Sequence, residues 1–308
     1  MNANNTSLLF SFGIVADVQY GDKPSGGLEG RVQNYREAPG KLALAIKDWI
    51  SKKDAISFVL TLGDVIEGIK GEVEQSLIDL EVVAKILDEL AAQTQVHHVV
   101  GNHCLRASRE ALLGRLKIPS NYYSVPIHEA DGGGDKWKLV VLDTTEMSLY
   151  SRYSEDSVQM TETRAFVEAH PEEEFPCMKI WNGGITTQQK QWLIDQLASS
   201  NETGESVIIA CHHPVGKGSA SELHMAWNAP EIESILCEAP CVKVVLTGHY
   251  HPGGYAMIQG KHFVTLEGLL EAPSNSNAFG YVHVFKDRIE IQGEGELSSR
   301  VLQMYKGT

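Results

Sequence analysis

The sequence predicts an α/β fold with mixed sheets. Short apolar runs rich in Val, Ile and Phe recur from residue 8 onward. Segments of helical period separate the early runs, and after residue 249 turns replace those helices. Strands are expected at 8–16, 56–62, 96–100, 138–143, 206–211 and 242–247. Between the first two, Pro39 opens a helix on which Leu42, Ala45, Ile46, Trp49 and Ile50 fall at spacings of three and four, giving one apolar face. Leu77, Leu80, Val83, Ala84, Leu87 and Leu90 repeat that stripe. Thr186 and Gln189 form a capping-box signature ahead of Trp192, Leu193 and Leu197. Strands at 254–259, 262–267, 280–285 and 288–292 then supply a mixed or antiparallel edge. With no solenoid-period repeat and no low-complexity linker, residues 1–308 read as one domain, and the acidic, weakly periodic stretch 144–185 reads as an insertion or lid.

Composition narrows the function classes. A chain of 308 residues with 43% hydrophobic content can bury a sizeable core, which excludes disordered and collagen-like classes. Its 26 basic and 40 acidic residues give a net charge of −14, which disfavours general nucleic-acid binding. No apolar run approaches the roughly 18 residues of a membrane span. The first 22 residues contain no Lys or Arg, unlike a secretory signal, so the cytoplasm is the expected location. Cys104, Cys177, Cys211, Cys237 and Cys241 are odd in number, form no CxxC pair and read as reduced, mostly buried thiols. The Asn-x-Thr/Ser triplets at Asn4, Asn5 and Asn201 therefore read as chance matches.

Five short motifs sit at or just beyond expected strand ends: Asp17-Val18-Gln19, Gly63-Asp64, Gly101-Asn102-His103, His212-His213-Pro214 and Gly248-His249-Tyr250-His251. Open α/β sheets bind ligands at the carboxyl ends of their strands. Mixed oxygen and nitrogen donors of this kind suit two divalent ions such as Mn, Fe or Zn, with a shared carboxylate offsetting their mutual repulsion. Each motif alone is weak, an isolated Gly-Asp being more often a turn than a ligand. The ordered set of five carries the reading.

In this order the motifs resemble the calcineurin-like metallophosphoesterase superfamily over residues 13–251, whose pattern runs Asp-x-His, Gly-Asp, Gly-Asn-His-Asp/Glu, His and Gly-His-x-His. The resemblance implies a four-layer α/β/β/α sandwich with mixed sheets. It further implies that Asp17, Gln19, Asp64 and His251 hold one metal and that Asp64, Asn102, His212 and His249 hold the other, with Asp64 bridging. His103 would be the non-ligand catalytic histidine beside the substrate phosphate, and His213 structural. Gln19 in place of the usual His, Tyr35-Arg36, Asn182-Gly183-Gly184, Ala226-Trp227-Asn228, Gly253-Gly254-Tyr255, Leu266-Glu267-Gly268 and Ala278-Phe279-Gly280 look like the manganese-dependent ADP-ribose/CDP-alcohol diphosphatases. Cys104 departs from that pattern: it stands where members usually carry an acidic residue that would be a candidate partner for His103.

The narrower resemblance implies hydrolysis of the phosphoanhydride of nucleoside diphosphate-linked compounds such as ADP-ribose and CDP-choline, giving a nucleoside monophosphate and a second phosphate ester. The attacking group would be a metal-bridging hydroxide, with Mn²⁺ favoured and Zn²⁺, Fe and Mg²⁺ as alternatives. Gln19, a neutral oxygen donor, suits the harder ions. A phosphodiesterase or phosphomonoesterase on the same dimetal site is the alternative enzyme. A protein Ser/Thr phosphatase is disfavoured because Gly63-Asp64-Val65-Ile66-Glu67-Gly68 lacks the Asp-Arg pair of those enzymes, and a non-catalytic scaffold is disfavoured by the intact ligand set. The expected partner is a small-molecule nucleotide, met by a monomer with no membrane or general nucleic-acid binding.

Substrate contacts are expected from Arg36 to a second phosphate and from Trp227 and Tyr255 by stacking, with core filling as the competing role for the aromatics. Arg36, Arg106 and Arg109 suit surface salt bridges equally well. His97, His98, His262 and His283 read as partly exposed strand residues, while His128, His170 and His224 have no partner motif. Cys104 and Cys211 are expected to pack rather than react.

Overall fold

A computed structural model describes residues 7–28, 30–68, 72–127, 134 and 136–304; Asn4, Asn5 and His128 lie outside the described residues. β1 (Leu8–Val15) is central to a six-stranded sheet. On one side it runs parallel to β4 (Phe58–Thr61), and β4 to β5 (Gln95–His98); on the other it pairs antiparallel with β12 (Ala278–Phe285), followed by β13 (Arg288–Gly295) and β14 (Arg300–Gln303). A second six-stranded sheet has β7 (Trp137–Val141), β8 (Ser206–Ala210), β9 (Val242–Thr247) and β11 (Lys261–Glu267) in parallel, with β6 (Tyr123–Ile127) and β10 (Pro252–Ile258) as antiparallel edges. β2 (Gly26–Leu28) and β3 (Arg31–Gln33) form a small separate hairpin.

Alternation along the second sheet's strands shows how the layers stack. Leu139 and Val141, Ile208 and Ala210, Val244 and Leu246 join one buried cluster with the first sheet, while Val140, Val207, Ile209 and Val245 join another. In a strand, alternate side chains face opposite sides, so the first set fills the space between the sheets and the second faces outward. The outward set is covered by Leu193 and Leu197 of α5 (Thr187–Thr203) and Ile232 and Leu236 of α6 (Ala229–Glu238). The first sheet is covered by α1 (Ala38–Ser51) and α2 (Val73–Ala91) through Leu42, Ile46, Trp49, Leu80, Val83 and Leu87. Trp49 ties α1 to the strands by donating its indole N–H to the Gly280 carbonyl at 3.2 Å. The result is the α/β/β/α sandwich, in which α1, α2 and α5 present the apolar stripes visible in the sequence and α6, not foreseen there, adds Ile232 and Leu236.

Several expectations need correcting. The strands after residue 249 form no single edge: β10 and β11 extend the second sheet, and β12 to β14 extend the first. The Thr186 cap forms, its hydroxyl accepting the Gln189 N–H at 3.3 Å, but the Gln189 carboxamide turns to the Asp143 carbonyl and Glu146 instead of back to the cap. In the stretch 144–185, Thr144 to Ser148 and Asn182 to Ile185 are buried, and Met147 and Gly184 form an antiparallel bridge. Both ends of that stretch therefore belong to the core, and α4 (Val158–Ala169) lies in its middle. His98 and His262 are buried, not partly exposed: His98 Nδ1 contacts Thr61 Oγ1 at 2.8 Å and His262 Nε2 contacts the Gln303 carbonyl at 2.9 Å.

Candidate metal centre

The carboxyl ends of parallel strands from both sheets meet at one place. Asp17 and Gln19 follow β1, Asp64 follows β4, Asn102 and His103 follow β5, His212 follows β8, and His249 and His251 follow β9. The chain leaves these strands abruptly. Eight described non-glycine residues have positive φ, and Asp17 (51°), Gln19 (44°), Asp64 (46°) and His249 (66°) are four of them. Such conformations cost on the order of 1–3 kcal/mol each and cluster at functional sites. The glycines of the motifs have steric reasons: a methyl group on Gly248 would stand 2.6 Å from Asp17 Oδ2, and one on Gly101 would collide with the Asp64 carboxylate.

Asp64 is the hub of the cluster. Its Oδ1 accepts the His103 main-chain N–H at 2.8 Å, while Oδ2 lies 3.3 Å from Gln19 Nε2 and 3.1 Å from His212 Nε2. His212 Nδ1 donates to the Leu62 carbonyl at 2.8 Å, which turns Nε2 towards Asp64 and brings it 2.9 Å from Asn102 Oδ1. Asp17 accepts the His249 main-chain N–H at 3.0 Å and lies 3.5 Å from His251 Nε2. His249 Nε2 contacts Asn182 Oδ1 at 2.8 Å, and His251 Nδ1 contacts Glu271 Oε1 at 3.2 Å. One ligand atom from each of Asp17, Asp64 and His212 falls within 4.8 Å of the others, and so does one from each of His212, His213 and His249.

The electrostatics follow from burying two carboxylates among imidazoles. Burial pushes the Asp64 carboxyl up, but the charges of His212 and His103 outweigh it and hold the group well below the usual carboxylate range. Burial likewise depresses His212 and His251, yet Asp64 raises the first, and Asp17 with Glu271 raises the second to about 10. His249 is lowered well below the ordinary value by burial and by the histidines around it. His213 is held at about 3 by burial and His212. Its Nδ1 contacts Thr144 Oγ1 at 2.9 Å and its Nε2 the Trp181 carbonyl at 3.2 Å, contacts that fasten two core segments together.

The three expected substrate contacts have these surroundings. Trp227 is 4% exposed, packs with Met147 and Met178, and donates its indole N–H to the Lys179 carbonyl at 3.2 Å, so it fills core and offers no stacking face. Tyr255 is 43% exposed on β10 with its hydroxyl 3.0 Å from His262 Nδ1, and Arg36 pairs with Asp22 at 2.7 Å on the surface. Arg109 is buried, bonded to Asp143, Asn121 and Thr145, and Arg106 lies over the Tyr150 ring. Cys104 and Cys211 are buried, and all five thiols are unpaired.

Four side chains escaped the sequence reading or entered it without a role. Glu67 and Glu271 sit behind His103 and His251, Asn182 sits behind His249, and the His224 ring centroid is 5.6 Å from that of His249. Asn182 carried a signal through the Asn-Gly-Gly triplet and Glu67 through its place three residues after Asp64; Glu271 and His224 have no characteristic spacing to a ligand. A cavity of about 380 Å³ opens beside His251, lined by Arg31, Glu267, Gly268 and Glu271 among others.

A four-layer sandwich with a buried carboxylate, imidazole and amide cluster at its strand ends is the architecture of a metallophosphoesterase. The calcineurin-like phosphoesterase family pattern matches residues 10–253, and the chain belongs to that family. Among its relatives, the manganese-dependent ADP-ribose/CDP-alcohol diphosphatase of Xenopus laevis is 32% identical over 322 residues, covering 95% of this chain and 90% of the relative. The protein of the same name from Oryza sativa is 31% identical, covering 97% and 95%. A dimetal phosphatase structure from Danio rerio superposes with a TM-score of 0.85 at 29% identity, covering 97% of this chain and 100% of that one.

Proposed function

We propose that this chain hydrolyses the phosphoanhydride of nucleoside diphosphate-linked compounds of the ADP-ribose and CDP-alcohol type, releasing a nucleoside monophosphate and a second phosphate ester. The observation carrying the reading is the Asp64 hub, a fully buried carboxylate contacted by residues from three other strand-end loops. Its chemistry fits divalent ions. Among the described residues the ion-pair partners of Asp17 and Asp64 are histidines alone, so their negative charge has no permanent cation beside it. Asp17, Gln19, Asp64 and His251 would hold one ion and Asp64, Asn102, His212 and His249 the other, with Mn²⁺ favoured. Two such ions supply a water of lowered pKa and Lewis-acid stabilisation of the phosphoryl oxygens.

The chain's own residues do the rest. The Leu62 carbonyl holds the proton on His212 Nδ1 and leaves Nε2 as the donor nitrogen, while Asn182 and Glu271 orient His249 and His251. His103 stands outside the ligand set with its ring one-third exposed, and stabilises charge on the phosphoryl oxygens or protonates the departing oxygen. An anhydride expels a phosphate ester that needs little protonation, so ADP-ribose and CDP-choline should be cleaved far faster than AMP or phosphocholine. The chain reads as one domain acting as a monomer, and its five free thiols suit the reducing cytosol. No described helix is long and apolar enough to cross a membrane.

The test is chelator-stripped protein reloaded with Mn²⁺, Mg²⁺, Zn²⁺ or nothing and assayed on those four compounds, with products analysed by mass spectrometry in oxygen-18 water. Label in one product phosphate without phosphorylated protein is expected. Rapid phosphate release from AMP would overturn the anhydride preference, and a trapped phosphoenzyme would overturn direct attack by water.

A further inference from the structure

We propose that the exposed indole of Trp181 is the surface on which the substrate's nucleoside base stacks, with the His224 ring linking it to the metal centre. The inference rests on the hydrolase reading above for the substrate class. The chain turns at 179–182, where the Asn182 N–H donates to the Lys179 carbonyl at 3.0 Å. Ile180 and Trp181 form the corner of that turn and are 46% and 39% exposed. The backbone beneath them is pinned. The Trp181 carbonyl lies 3.2 Å from His213 Nε2, and Asn182 Nδ2 donates to the Cys177 and Leu223 carbonyls, both at 2.8 Å. Asn182 Oδ1 meets His249 Nε2 at 2.8 Å, so the residue after Trp181 touches a proposed metal ligand.

Rings connect the two places as well. The Trp181 centroid is 6.4 Å from that of His224, which in turn is 5.6 Å from His249 and 5.0 Å from Tyr250. Leu223, the residue before His224, is 43% exposed and widens the apolar rim. Contiguous exposed apolar surface of this kind marks binding sites. An indole presented by a fixed turn is pre-organised, because little chain freedom is lost when a flat ligand settles on it. A base on that indole leaves its ribose and 5′ phosphate free to reach back towards the ions. Every base has a π face, so one indole serves adenine and cytosine alike, as a substrate range spanning ADP-ribose and CDP-alcohols demands. Choline also binds aromatic faces, but only one of those two substrate types carries it, whereas both carry a base.

Wild type, W181A and W181F would be loaded with Mn²⁺, their affinities for AMP and for ribose 5-phosphate measured by calorimetry, and their kinetics followed on ADP-ribose and CDP-choline. Ribose 5-phosphate offers the phosphate of AMP without the base. W181A should weaken AMP by roughly 5- to 150-fold, the range for a lost base–aromatic stack, and leave ribose 5-phosphate and Mn²⁺ affinity within about twofold. KM for both substrates should rise while kcat stays within about threefold, the pattern of lost ground-state binding. W181F keeps a ring and should recover most of the AMP affinity. With Mg²⁺ in place of Mn²⁺, the emission that separates wild type from W181F is that of Trp181, and AMP should quench it where ribose 5-phosphate does not. Unchanged AMP affinity in W181A, or equal losses for AMP and ribose 5-phosphate, would overturn the proposal. A loss confined to CDP-choline would put choline on the ring instead, and loss of Mn²⁺ would make Trp181 a support for His249; either result overturns base stacking. If W181A does not fold, the emission comparison decides, and no quenching by AMP would count against the proposal. Wild type that binds AMP but cleaves neither ADP-ribose nor CDP-choline would sink the hydrolase reading, while the comparison of AMP with ribose 5-phosphate would still decide the stacking.

Discussion

Replacing Asp64 by Asn keeps the side chain's shape and removes the one charge proposed to serve both ions. Asp64 is fully buried, with Oδ1 engaged by the His103 N–H at 2.8 Å and Oδ2 facing Gln19 Nε2 at 3.3 Å and His212 Nε2 at 3.1 Å. An Asn that keeps its oxygen on the His103 N–H must turn its NH₂ into the space where cations would sit, and an NH₂ only donates. If each lost charge-assisted contact is worth roughly 1.5–3 kcal/mol, two lost contacts cost roughly 3–6 kcal/mol. At about 1.4 kcal/mol per tenfold, that is roughly 10²–10⁴ in metal affinity or turnover. The fold should survive, because the surrounding loops are also tied through main-chain bonds such as Gln19 N–H to the Asp64 carbonyl at 2.8 Å. Metal content after desalting, turnover of ADP-ribose with excess Mn²⁺ and a thermal melt separate these effects. A folded variant that keeps both ions and most of its turnover would show that Asp64 does not bridge.

H103A should keep its metal while losing roughly 10²–10⁴ in turnover; metal loss on desalting would move His103 into the ligand set. Q19H should bind its ion more tightly and shift preference from Mn²⁺ towards Zn²⁺ or Fe, since imidazole replaces a neutral oxygen donor; unchanged affinity and preference in a metal titration would return Gln19 to a plain loop role. G101A drives a methyl group into the Asp64 carboxylate, so it should lose metal and about 1–3 kcal/mol of stability in a denaturant melt. Glu146 offers a pH test away from the centre: burial and the Asp143 carboxylate raise its pKa, so the folded chain binds more protons than the unfolded one and stability falls as pH rises through the interval above the ordinary value. E146Q can still accept from Thr186 and Gln189 through its carbonyl oxygen, so it should melt higher than wild type at pH 7, with the gap closing towards about pH 4; a gap independent of pH would count against that account.

Most strands and the three long helices were legible because their signal is local: an apolar run of the right length, or a stripe at spacings of three and four. What escaped depends on distant partners. The assignment of β10 and β11 to one sheet and β12 to β14 to the other is set by pairing with β9 and β1, which nothing in the late segment announces. β6 escaped because Pro126 interrupts it, an interruption an edge strand tolerates. His98 and His262 look like exposed alternating residues, yet each finds a buried acceptor or hydroxyl from another element. The five motifs were readable because metal-type donors beside turn-forming glycines are rare at successive strand ends. Glu271 and Asn182 were not assigned roles because a residue that orients a ligand needs only to be near it in space.

The strain at the centre and its burial have a common explanation. Asp17, Gln19, Asp64 and His249 occupy backbone conformations that L-residues avoid, and two of them bring carboxylates fully out of water. Main-chain bonds between loops hold these conformations: Tyr20 N–H to the Val65 carbonyl at 3.3 Å, Gly248 N–H to His212 at 3.0 Å, and Leu269 and Leu270 N–H to Ala16 and Asp17, both at 3.0 Å. Those bonds join loops from both sheets without using the donor atoms of the candidate ligands. The scaffold therefore keeps the donors converged independently of their side-chain chemistry, so conservative changes at the ligand positions should alter charge and coordination well before they alter the fold.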